Sequence, residues 1–199
     1  VYPDYLSYEN NVKTVFNSGN QYRRINTSNL NNRPEQTRSV EMDRDYYVVE
    51  LYPDQKRNLH TYLDEQDLFG EKVIYLERDD RAAATEADYV MVEFFLEWAP
   101  VMVNQDVYVM GAITDWNLGE KNKMTYDYER KGYAINLLLK QGYYDYIYAV
   151  KDHGATTADV GVVAGNFWET LNEYTIYIYL FDQIQNYDQL IGVKTILSY

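Results

Sequence analysis

The sequence predicts an all-β chain of two immunoglobulin-like sandwich domains, the first incomplete at its N-terminus. Three observations predict it. Apolar residues recur at period two, not at helical spacing, through most of the chain. Short polar or glycine-containing corners separate those runs. Tyrosine, which favours strands and half-wetted sheet faces, occurs 23 times against 6 phenylalanines.

The clearest stretch runs from Asp106 to Val150. Asp106–Ala112 alternates Val107 and Val109 with Tyr108 and Met110, then stops at Gly111 and a Thr-Asp-Trp-Asn corner. The short side chains of Thr114, Asp115 and Asn117 can bond their own backbone there and hold a turn. Tyr133–Lys140 places Tyr133, Ile135, Leu137 and Leu139 on one face, and Tyr143–Val150 places Tyr144, Tyr146, Tyr148 and Val150 on one face. The Gln141-Gly142 link between them reads as a β-hairpin.

Upstream, Val1–Tyr8 and Val12–Phe16 read as short edge strands, and Thr27–Arg38 as an exposed loop broken by Pro34. Met42–Tyr52 alternates like a strand and is stopped by Pro53-Asp54. Leu59–Leu63 and Lys72–Glu77 add two short strands around a polar turn containing Gly70. Asp79–Glu86 has neither β pattern nor large apolar side chain, so it is the expected linker between a domain at 1–80 and one at 81–199. Beyond it, Tyr89–Trp98 alternates and ends at Ala99-Pro100. Lys151–Gly165, small and polar, is expected to be a mobile loop. Tyr174–Phe181 and Leu190–Leu197 complete about six or seven strands in roughly 110 residues, a density that suits a sandwich.

Composition limits function. The chain has 199 residues, is 46% hydrophobic and carries a formal net charge of −13. Phosphate backbones and anionic membrane surfaces would be repelled, so neither nucleic acid nor a charged bilayer is an expected partner. With no cysteine, disulfides, thiolate metal sites and cysteine nucleophiles are all excluded. No apolar run reaches the roughly 20 residues of a spanning helix. A start at Val1 rather than Met leads us to expect a mature or trimmed product.

Enzyme motifs are absent: no G-x-S-x-G, no phosphate-binding glycine loop, no H-E-x-x-H. The two histidines, His60 and His153, fall in different expected domains and read as surface residues. Asp64/Glu65/Asp67, Asp79/Asp80 and Asp127/Glu129 are sequence neighbours, not opposite walls of a glycosidase cleft, and read as solvated turns. Asp64–Glu71 lacks the alternating oxygen ligands of an EF-hand. No catalytic residue, metal or cofactor is expected. Trp116 and Trp168 each sit in a turn, where an indole can either stack on a sugar or close the end of a sandwich. Trp116 is expected to be buried under Leu137 and Tyr146.

Two resemblances extend this reading. VYVMGAITDWN followed by QGYYDYIYAV resembles the glycogen-binding early-set module. That likeness implies a glycan site at Trp116, Trp168, Thr170 and Asn172, although the module's lysine position carries Ile147 and the Lys151–Gly165 loop lacks its tryptophan. A second resemblance spans nearly the whole chain. The blocks ATEADYVMVEFFLEW, DVYVMGAITDWN, MTYDYERKGY, LLLKQGYYDYIYAV, GNFWETLNEYTIYIY and YDQLIGVKTI, preceded by QYRRIN, YYVVELYPDQKRNLHTYLDEQDLFGE and VIYLER, are similar in order and spacing to the C-terminal part of the type IX secretion system plug family. Phe69 replaces the family's usual Asn, and Ala164 its usual Glu. This resemblance implies a non-enzymatic periplasmic subunit that seals the outer-membrane translocon barrel, with that barrel protein as partner. A cell-surface carbohydrate-binding module, with glycans as partner, is the alternative.

Overall fold

The structure, a computed structural model, describes residues 16–31, 34, 36–65, 67–77 and 87–198. In chain order the strands are β1 (Arg23–Asn26), β2 (Thr37–Asp43), β3 (Tyr46–Leu51), β4 (Lys72–Ile74), β5 (Tyr89–Glu97), β6 (Gln105–Met110), β7 (Thr125–Asp127), β8 (Gly132–Lys140), β9 (Gly142–Asp152), β10 (Glu173–Asp182) and β11 (Tyr187–Leu197). A 3-10 turn at Ala112–Thr114 and a one-turn helix α1, Gly161–Ala164, are the helical pieces among the described residues. The fold is an all-β sandwich.

Two compact units divide the chain, one of residues 20–165 and one of residues 1–19 with 166–199. The first unit is the sandwich. One sheet has the order β2-β3-β5-β8-β7; the other has β1-β9-β4, with β6 also paired to β9. Alternation decides which side chains enter between the sheets. Val90, Val92, Phe94 and Leu96 of β5 are fully buried, as are Val107 and Val109 of β6. Tyr144, Tyr146, Tyr148 and Val150 of β9 and Ile25 of β1 line the same layer as the β6 valines and meet the β5 side chains and Val49 of β3 from the opposite sheet. Phe94 and Tyr146 pack edge to face with centroids 5.0 Å apart, a favoured arrangement of aromatic quadrupoles.

Several expectations are corrected here. The boundary at residues 79–86 fails. Tyr47–Glu50 of β3 pair in parallel with Val90–Glu93 of β5, so one sheet takes strands from both sides of that segment. Residues 78–86 themselves lie outside the described residues, as do the strands expected at Val1–Tyr8 and over most of Val12–Phe16. Nor do β8 and β9 form a hairpin. They belong to different sheets, because β8 pairs with β5 and β7 while β9 pairs with β1, β4 and β6. The chain crosses the sandwich at Gln141, whose amide donates to the Asp88 carbonyl at 2.9 Å. Both apolar faces then point inward from opposite layers.

Met42–Tyr52 is two strand pieces, folded back at a turn that holds Arg44 at φ 49°. Leu59–Leu63 is not a strand; Leu59 and Leu63 are exposed. Lys151–Gly165 is packed rather than free. Asp159 and Val150 exchange backbone bonds, and α1 buries Val163 and Ala164.

Candidate partner-binding surface

The second unit contains an antiparallel pair, β10 and β11, whose sequence is apolar on both faces. Tyr174, Ile176, Ile178 and Leu180 alternate onto one face of β10, with Ile196 opposite Tyr174. Tyr177, Tyr179 and Phe181 occupy the other, with Val193 opposite Tyr177 and Leu190 opposite Tyr179. A bulge admits Ile191 as an extra residue of β11. Ile178 is 44% exposed, Tyr179 59% and Leu180 56%, so neither face is covered. Two-stranded sheets of this kind are marginal alone in water.

Local chemistry fixes the hairpin at both ends. At its tip, the Asp182 carboxylate accepts the Ile184 and Gln185 amides at 2.8 and 3.0 Å, and Asn186 adopts the left-handed conformation. At its base, the Ser198 amide donates to the Asn172 carbonyl at 2.9 Å. Phe16 packs against Tyr174 with ring centroids 6.1 Å apart.

Those bonds bear on the glycan residues. Thr170 is buried and its hydroxyl donates to the Gly19 carbonyl at 3.1 Å. The Asn172 side-chain amide donates to the carbonyls of Ser18 and Thr170 at 2.9 and 3.1 Å. Both polar groups therefore hold backbone in place. Trp168, in the same unit, is 79% exposed. Trp116 belongs to the sandwich unit and is 43% exposed, not buried beneath Leu137 and Tyr146 as expected. It follows Asp115, both with positive φ, and meets Tyr22 edge to face at 5.9 Å. Its ring lies on Gly70, where a Cβ would come within 2.4 Å of it. The missing methyl group at Gly70 therefore makes room for the indole.

Of the acidic turns, Asp67 accepts the amides of Tyr22 and Phe69, and Asp127 accepts those of Glu129 and Arg130. Among the described residues no group of His, Asp or Glu is arranged to hold a metal ion.

The sequence reading missed Asp54. Read as a strand stop after Pro53, it is the polar centre of the sandwich unit. One carboxylate oxygen accepts from Arg23 at 2.6 Å, and the other from the hydroxyls of Tyr146 and Tyr148 at 2.7 and 2.8 Å. Three donors satisfy it, which is what a carboxylate only 13% exposed requires. The signal in the sequence was indirect: two core-facing tyrosines two residues apart need an acceptor for their hydroxyls.

These features define an all-β sandwich protein with an uncovered apolar hairpin. No family model and no curated protein matches the chain. Among solved structures it is similar to a hypothetical protein from Parabacteroides merdae ATCC 43184, at 37% sequence identity and a TM-score of 0.85. The match covers 90% of this chain and 45% of that one, so the chain spans less than half the length of that relative.

Proposed function

We propose that the protein is a non-enzymatic plug or gating subunit that seals the outer-membrane translocon barrel of the type IX secretion system from the periplasm. The hairpin β10–β11 is the surface that meets the partner. The observation that supports this reading most is the exposure of large apolar side chains on both its faces; the choice of translocon rests on the ordered resemblance of sequence blocks along the chain. A strand of ten residues is roughly 33 Å long, so one face of the pair presents on the order of 330 Å². At about 25 cal/mol per Å², covering it contributes about 8 kcal/mol before association costs of similar size. A single face is therefore too little, and the partner must cover both faces or also pair with a free edge. Deleting the gene should leave the outer membrane permeable to small dyes, and the protein should co-purify with the barrel. An impermeable deletion strain together with no co-purification would end this reading.

A carbohydrate-binding module at the cell surface is the second reading, favoured by the 79% exposure of Trp168. Its weakness is that Thr170 and Asn172 are already bonded to backbone carbonyls. Calorimetric titration with α-glucans and peptidoglycan fragments tests it: binding that weakens several-fold in Trp168→Ala supports it, and no heat with any glycan rejects it.

A further inference from the structure

A cavity of about 180 Å³ opens within the sandwich unit, lined in part by Arg23, Arg24, Arg57, His60, Asp54 and Glu65. Three guanidiniums and an imidazole thus face two carboxylates, in a chain whose formal net charge is −13. Their pairing is uneven. Asp54 is fully engaged by Arg23, Tyr146 and Tyr148. Arg24 reaches Asp145 through Nε at 3.2 Å, and its two terminal nitrogens have no acceptor among the described residues. Arg57 has no ion pair among the described residues. Its Nη2 donates to the Gln21 carbonyl, and its Nε is buried without an acceptor. Burial, followed by the neighbouring charge of Arg23, lowers its pKa to about 10. Asp54 and Glu65 attract it without a direct ion pair, and a half-buried guanidinium that lacks a bonded counter-ion is costly.

We propose that this cavity binds a carboxylate, with Arg57 and Arg24 as the cationic partners and Thr61 as a neutral donor in its lining. The guanidinium fork matches a carboxylate's two oxygens. Asp54 and Glu65 on the same wall disfavour a doubly charged phosphate or sulfate. The volume equals about six waters, room for a small organic acid or for the carboxyl end of a peptide.

Thermal-shift and calorimetric titrations of the whole chain with sodium acetate, against sodium chloride and sulfate at equal ionic strength, test the site. A short peptide with a free C-terminal carboxylate and the same peptide amidated form the second arm. Acetate and the free-acid peptide should stabilise the protein saturably, and Arg57→Gln should weaken that at least tenfold, the scale of one charge-assisted bond. Because Arg57 has no directly bonded carboxylate among the described residues, Arg57→Gln without ligand should melt no lower than the parent; a structural arginine would behave oppositely. Tighter binding of the peptide acid than of acetate assigns a peptide terminus, and the reverse order assigns a small free acid. Equal response to chloride or sulfate, equal response to the amidated peptide, or unchanged binding in Arg57→Gln would overturn the proposal.

Discussion

Asp54 ties three strands of the sandwich together. It joins Arg23 on β1 to Tyr146 and Tyr148 on β9, and its own amide donates to the Phe95 carbonyl on β5 at 2.8 Å. Removing it strands a buried guanidinium and two buried hydroxyls. Asp54→Ala should therefore cost about 3 kcal/mol in urea unfolding, and Tyr148→Phe, which loses one neutral partner, about 1 kcal/mol. An Asp54→Ala loss below about 1 kcal/mol would contradict the role given to it. The tyrosines also set the alkaline limit. Burial pushes Tyr22 and Tyr144 up to about 12, and Tyr146 and Tyr148 well above the ordinary value of 10. A pKa raised on folding gives stability that is complete below the unfolded value, about 10, and is lost as pH rises through the folded value. Absorbance at 295 nm should show the buried tyrosines ionising above pH 10 in a cooperative step together with loss of sheet circular dichroism. One gradual wave centred on 10 with the sheet intact would contradict the burial pattern. None of this was legible at Asp54 itself, because a residue's partners across a fold are not written beside it.

At the scale of elements, period-two alternation located β5, β6, β8, β9, β10 and β11 to within a few residues, since each buries or exposes alternate side chains. It did not reveal which strands pair. Gln141-Gly142 fits a hairpin or a crossing equally well, and the outcome depends on β1 and β4, which take the two edges of β9 at Tyr144. Gly142 is what permits the crossing. A Cβ there would lie 2.3 Å from the Val73 carbonyl, and the residue exchanges bonds with Thr27 on its other side. Gly142→Ala should lower stability by about 2 kcal/mol, read from the urea midpoint; a neutral result would mean that β4 yields easily. YTIYIYLF looks like a core strand because nearly every position is apolar, and the sequence cannot say that the core it belongs to is uncovered. In the isolated chain, β10–β11 amides should exchange at least 100-fold faster than those of β5 and β9. Equal protection in hydrogen-exchange mass spectrometry would show that the pair is stable alone.

Across the whole molecule, the sequence conveyed the all-β class but placed the division in the wrong region. Asp79–Glu86 has a linker's composition, yet the parallel pairing of β3 with β5 joins the flanking segments into one sheet. The actual division falls at Gly19/Asn20 and Gly165/Asn166, bringing together segments remote in the chain, which local pattern cannot show. What results is a sandwich unit and a second unit whose hairpin has two apolar faces. In the proposed function, this hairpin holds a protein partner, the translocon barrel. The most direct test is co-purification of that barrel from detergent-solubilised envelopes with the tagged protein, compared with a variant carrying Ile178→Lys and Tyr179→Lys, one change on each face. The parent protein should retain the barrel and the variant at least tenfold less, while the sandwich melts at an unchanged temperature. Failure of the parent to retain the barrel, or equal retention by the variant, would contradict it.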